Sequence, residues 1–184
     1  PRNQLGIAFE KMIHSKKKKN WGDLLKGSEA VLQYDKENRI ALGNMALSYF
    51  HLGDRNNSVC YWKKIDSVNL IPTNESHLYC RTLYNMKMFE DAVTIAEQIR
   101  GGKLIDIKIA EIGLRSLYNL GRDSECISQC KIILEEEGGN VIALRHLSRA
   151  LIRNNRISES ICILKRWCNS SPKSVDGWGS LIEA

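Results

Sequence analysis

Along most of the chain, apolar residues return at three- and four-residue steps, the spacing of one face of an α-helix. Leu144, Leu147, Leu151 and Ile152 form one such stripe, and Ile127, Cys130, Ile133 and Leu134 form another. Each periodic segment runs about 12 to 15 residues, ordinary helix length. No segment alternates apolar and polar residues as a half-buried strand would. The prolines are Pro1, Pro72 and Pro172, and none interrupts a periodic segment. Gly101-Gly102 and Gly138-Gly139 follow apolar stretches and read as helix stops. The pattern predicts an all-α chain of short helices.

The stripes themselves recur. Gly53 in Leu52-Gly53-Asp54 and Gly121 in Leu120-Gly121-Arg122 are 68 residues apart, twice a period of 34. Counted from 1 to 34, repeats start near Leu5, Arg39, Thr73, Ile107 and Val141, and a partial sixth starts at Val175. Position 8 holds a small residue in Ala46, Cys80 and Ser148, and position 20 does so in Ser58, Ala92, Cys126 and Ser160. Position 27 is apolar: Val31, Ile65, Ile99, Ile133 and the larger Trp167. Lys87 and Asn155 replace the turn glycine; Asn tolerates a left-handed backbone and Lys less so. Repeat 1 is the weakest, because Lys11 and Ser15 stand where apolar residues belong. A shift of about three residues places Phe9 and Met12 better there, with the lysine run absorbed as a longer turn. Its second helix, Trp21 to Asp35, fits without adjustment. One helix pair cannot bury its own apolar face but stacked pairs can, so residues 1–184 are expected to form a single array.

Leu42-Gly43-Asn44-Met45-Ala46-Leu47-Ser48-Tyr49 with Trp62, Met88-Phe89-Glu90-Asp91-Ala92, and Pro172 leading into Trp178-Gly179-Ser180-Leu181 resemble the tetratricopeptide repeat (TPR) pattern. The resemblance covers nearly the whole chain. It implies an all-α, right-handed α-solenoid of antiparallel helix pairs. It also implies that first helices line a concave groove, through positions 2, 5, 6, 9, 12 and 13. Position 9 then offers Arg81, Arg115 and Arg149, a ladder spaced roughly 10 Å apart at ordinary interhelical distances. Position 12 offers Phe50, Tyr84 and Tyr118, and position 13 offers His51, Asn85, Asn119 and Arg153. Repeat 5 adds Arg145 and His146, and repeat 3 adds His77. Arg suits carboxylates and phosphates, and Tyr supplies apolar area with a hydroxyl. The expected ligand is an extended acidic segment of a protein partner.

Co-chaperones of this family clamp a C-terminal carboxylate with a fixed Lys, Asn, Asn, Lys, Arg set. The frame starting at repeat 3 holds His77, Arg81, Ile112, Ile142 and His146 there, and no frame supplies the set. The resemblance does not extend to that use.

Composition changes this picture little. A formal net charge of +6 favours an acidic partner but does not establish nucleic-acid binding, which is disfavoured. Lys16-Lys17-Lys18-Lys19 is the densest charge run and is placed in the turn of repeat 1, as a solvated turn or a polyanion contact. The six cysteines carry no C-x2-C pair, and Cys80, Cys126 and Cys130 fall where the repeat wants small or apolar residues, so no metal is expected. His14, His51, His77 and His146 show no metal spacing, and no nucleophile elbow or P-loop occurs, so catalysis is not expected and no cofactor is implied. Asn56-Asn57-Ser58, Asn74-Glu75-Ser76 and Asn169-Ser170-Ser171 match the glycosylation pattern but are read as unmodified. No apolar run approaches the length of a membrane span and no signal peptide is evident, which points to the cytoplasm. The reading is a non-catalytic interaction scaffold. The alternative is an accessory acceptor-binding or oligomerisation module of a larger enzyme such as a glycosyltransferase. Trp178, Leu181 and Ile182 in the incomplete sixth copy offer a route to a homo-oligomer.

Overall fold

The computed structural model describes residues 2–65, 71–100 and 107–184. Those residues fold into the helices α1 (Arg2–Lys17), α2 (Trp21–Tyr34), α3 (Arg39–Leu52), α4 (Arg55–Lys63), α5 (Thr73–Asn85), α6 (Phe89–Arg100), α7 (Ile107–Leu120), α8 (Asp123–Glu136), α9 (Val141–Arg153), α10 (Ile157–Ser170) and α11 (Val175–Glu183). Among them there is no strand. The chain divides into two compact units, one of residues 1–87 with α1 to α5 and one of residues 88–184 with α6 to α11.

Helix starts obey the period. First helices begin at Arg39, Thr73, Ile107, Val141 and Val175, and second helices begin at Trp21, Arg55, Phe89, Asp123 and Ile157, each set spaced by 34. Local chemistry explains several of these boundaries. Asn38 and Asn140, equivalent residues just before α3 and α9, accept hydrogen bonds from the Ala41 and Ala143 amides at 3.0 and 2.9 Å. Ser174 caps α11 the same way through the Gly177 amide at 3.1 Å. The turn between the two helices always passes through a left-handed residue at position 15: Lys19 (φ 55°), Gly53 (87°), Lys87 (60°), Gly121 (73°) and Asn155 (56°). The period thus overrides residue preference at the two lysines.

Repeat 1 needs no shift. Met12 is fully buried at position 8, equivalent to Ala46 and Cys80, and α1 simply begins three residues early at Arg2. Lys11 is exposed and Ser15 half-buried, so the polar residues there occupy an open face rather than a misplaced core. The lysine run is not all turn either: Lys16 and Lys17 close α1, and only Lys18 and Lys19 make the turn. Two lengths also differ from expectation. Helix α4 stops after 9 residues, where Lys64 and Ile65 bond to the Tyr61 and Trp62 carbonyls in the tighter three-residue pattern. Helix α8 ends at Glu136 before Gly138-Gly139, as the glycines suggest, but neither glycine is left-handed. Gly101-Gly102 lies outside the described residues.

Each unit has its own core. In the first, Ala8, Met12, Leu24, Val31 and Ala41 form one cluster. In the second, Leu114, Leu117, Cys126, Ile127, Cys130, Ile133, Leu147 and Leu151 form another, and Leu144, Leu164 and Trp167 a third. Ile152 is 39% exposed and outside this core, because one helical residue beyond Leu151 turns it about 100° off the buried stripe. Small residues at positions 8 and 20 do more than allow approach. The Ser58 hydroxyl donates to the Ala46 carbonyl at 2.8 Å, and Ser160 to Ser148 at 3.1 Å. Position 8 accepts larger residues too, since Leu114 occupies it at 2% exposure. At Gly113, an added Cβ would meet the Ala96 Cβ at 3.0 Å, so α6 and α7 touch through the missing side chain.

The cysteines are all free thiols; Cys80, Cys126, Cys130 and Cys168 are buried and Cys60 and Cys162 exposed.

Candidate functional site

In the second unit, α7 and α9 are first helices and pack together. Their position-5 residues have opposite charge: Glu111 on α7 and Arg145 on α9, 34 residues apart. Glu111 Oε1 accepts from Arg115 at 2.5 Å, one turn along α7, and from Arg145 at 3.4 Å. One carboxylate therefore tethers two guanidiniums. Arg149, one turn after Arg145, is exposed and makes no ion pair among the described residues. Arg145 Nε is buried with no acceptor.

Next to Arg145 on α9 stands His146. It is only 4% exposed, and neither ring nitrogen has a hydrogen-bond partner. Burial, reinforced by Arg145, Arg149 and Arg115, pushes its pKa down to about 4. The imidazole is neutral at pH 7, and the local charge comes from the three arginines against Glu111.

Further along the same face, the Arg153 guanidinium lies 3.5 Å from the centre of the Tyr118 ring. It donates to the Tyr118 carbonyl at 2.7 Å and pairs with Asp123 at 3.2 Å. Asn119 donates to the Arg115 carbonyl at 2.7 Å. Arg153 and Asn119 thus serve the fold as well as the surface.

In the first unit, His77, Arg81, Tyr84 and Asn85 all lie on α5. Arg81 and Asn85 are exposed, while His77 and Tyr84 are half-buried. Arg81 sits over the Phe50 ring at 5.7 Å, and His51 stacks on Trp21 with centroids 3.8 Å apart. This face is aromatic. It also contains an ion pair between Lys16 and Glu75 at 2.9 Å, with the Glu75 side chain only 3% exposed. The Glu75 Oε2 would be in ordinary van der Waals contact, at 3.6 Å, with a Cβ added at Gly43.

The candidate arginines are therefore not equivalent. Arg115 and Arg145 share Glu111, and Arg149 follows one turn after Arg145; Arg153 is engaged by Tyr118 and Asp123; Arg81 belongs with the aromatic face of the first unit. The sequence reading missed Glu111, Asp123 and Glu75. Glu111 had a visible signal, an acid four residues before Arg115 and one period before Arg145. The other two pair with residues 30 and 59 positions away, Asp123 with Arg153 and Glu75 with Lys16, at spacings no periodic rule suggests.

Among the described residues, no three His, Cys, Asp or Glu side chains come together as metal ligands. No described helix is long and apolar enough to cross a membrane.

No family model matches the sequence, and no curated protein matches it. Solved structures do. The crystal structure of MamA protein is 13% identical, covers 94% of this chain and 94% of its own, and superposes with a TM-score of 0.75. MamA from Desulfovibrio magneticus RS-1 gives 12% identity, 94% and 97% coverage and a TM-score of 0.69. YrrB, described as a TPR protein with an unusual peptide-binding site, gives 12% identity, 92% and 87% coverage and a TM-score of 0.77. With its 34-residue helix pairs and this likeness, the chain has the all-α solenoid fold of tetratricopeptide-repeat proteins.

Proposed function

We propose that this chain is a non-catalytic interaction scaffold whose first-helix face receives an extended acidic segment of a partner protein. The observation that carries the reading is the grouping of Arg115, Arg145 and Arg149 on the packed helices α7 and α9, where Glu111 pairs with Arg115 and Arg145 and leaves exposed Arg149 unpaired. Arginine binds carboxylates through a planar fork of donors, and Tyr118 adds apolar contact area on the same helix as Arg115. The peptide-binding site of YrrB, a protein with the same fold, makes this use of the face reasonable.

The test is fluorescence anisotropy with a labelled twelve-residue Glu-rich peptide and a Lys-rich peptide of equal length. The chain is expected to bind the acidic peptide, with affinity falling as salt rises, and to ignore the basic one. Arg115→Glu with Arg149→Glu should abolish binding, and both side chains are exposed. Equal binding of both peptides, or unchanged affinity of the double variant, contradicts the proposal.

A further inference from the structure

We infer that, within the acidic-segment reading above and resting on it, Arg115, Arg145, Arg149 and His146 form a site for a phosphorylated side chain rather than for a plain carboxylate.

The first argument is charge. Three guanidiniums and one Glu111 carboxylate leave two positive charges around an uncharged imidazole. A ligand carboxylate cancels one of them. A phosphomonoester carries about −1.5 to −2 at pH 7 and cancels both.

The second argument is the donor inventory. Glu111 Oε1 already serves one nitrogen each of Arg115 and Arg145. The donors without an acceptor are spread over three side chains: the fork of exposed Arg149 and, both shielded from solvent, Arg145 Nε and the single N–H of neutral His146. A carboxylate has two oxygens and is satisfied by one arginine fork. A phosphoryl group has three acceptor oxygens, which suits donors arriving from three residues.

His146 is also out of place as a core residue. A polar ring 4% exposed with two unpaired nitrogens costs stability, since buried polar groups are normally hydrogen-bonded. Position 6 of the first helices is buried at Asn44, Ile112 and His146 alike, but only at His146 is it filled by a ring with two unpaired nitrogens, next to Arg145. A small side-chain movement that admits a ligand oxygen to the ring would remove that cost.

The experiment compares two versions of one acidic twelve-residue peptide, with phosphoserine or glutamate at the central position, against the full chain. The phosphoserine peptide should bind about tenfold tighter, the gain of one additional charge-assisted hydrogen bond. Arg149→Gln and His146→Gln should each erase the difference between the peptides, while Lys165→Gln, an exposed lysine on α10, should preserve it. Inorganic phosphate should compete with the phosphoserine peptide where acetate at equal ionic strength does not. Arg149 is exposed, so its variant keeps the test valid even if His146→Gln fails to fold. Equal affinity of the two peptides for the unaltered chain overturns the phosphate site and leaves the acidic-segment reading standing. Binding of neither peptide overturns both.

Discussion

Arg153 sits over Tyr118, its guanidinium 3.5 Å from the ring centre and its Nη1 2.7 Å from the same residue's carbonyl oxygen. These residues stand 35 apart, at neighbouring groove positions of consecutive repeats. The same Nη1 pairs with Asp123 Oδ1 at 3.2 Å. This first-helix face is thus partly built from the fold's own contacts between repeats. A double-mutant cycle with Arg153→Ala and Tyr118→Leu should return a coupling of about 1 kcal/mol in urea unfolding, the range of a half-exposed cation–π contact. Additive effects would mean the stacking contributes nothing.

Removing Lys16 should be more damaging than removing any of its three lysine neighbours. Its ammonium is the ion-pair partner of Glu75, whose side chain is 3% exposed. Lys16→Met strands a buried carboxylate and should cost about 3 kcal/mol. Adding Glu75→Gln to that variant should recover a good part of the loss, read by chemical denaturation. Lys17→Met and Lys18→Met, at exposed positions, should change stability by less than about 0.5 kcal/mol.

Stability should depend on pH through His146. Its folded pKa, about 4, lies below the unfolded value near 6.5, so the unfolded state binds the extra proton between those values. The contribution is complete above pH 6.5 and is lost as pH falls toward 4. At pH 5 the loss amounts to about 2 kcal/mol relative to pH 7. His146→Leu should flatten that part of the profile in thermal melts at pH 7 and pH 5; an equally steep profile in the variant would assign the dependence to other groups.

The turn lysines are the places where the repeat geometry works against residue preference. Lys19 and Lys87 hold φ values of 55° and 60°, where a side chain is strained and glycine is not. Lys19→Gly and Lys87→Gly should each stabilise the chain by about 0.5 to 1 kcal/mol, whereas Gly53→Lys should destabilise it by a similar amount. A loss of stability in both lysine variants would contradict this account of the turn.

Much of the fold was legible because it is periodic. The starts of α3, α5, α7, α9 and α11 fall on the repeat starts read from the sequence, since helix length, turn and small-residue contact all recur every 34 residues. What misled was local composition. Lys11, Ser15 and the lysine run suggested a displaced first helix, yet Met12 keeps the register by filling position 8. The site was legible only in part. Spacing gave Arg115, Arg145 and Arg149, but not the burial of His146, which depends on how α9 packs against its neighbours. It also missed the acids Glu111 and Asp123, which decide which arginines are already engaged. Residue spacing reports which face a side chain is on; it does not report which charge on a facing helix meets it.

The most direct test of the central claim is to see where an acidic peptide lands. Amide chemical shifts of the full chain, followed by NMR during titration with the Glu-rich peptide, locate the contact surface residue by residue. The account predicts saturable shifts concentrated on α7 and α9, around Arg115, Tyr118, Arg145 and Arg149, and their disappearance in the Arg115→Glu, Arg149→Glu double variant. Shifts confined to the second helices α8 and α10, or a uniform drift across all lysines and arginines, would contradict it.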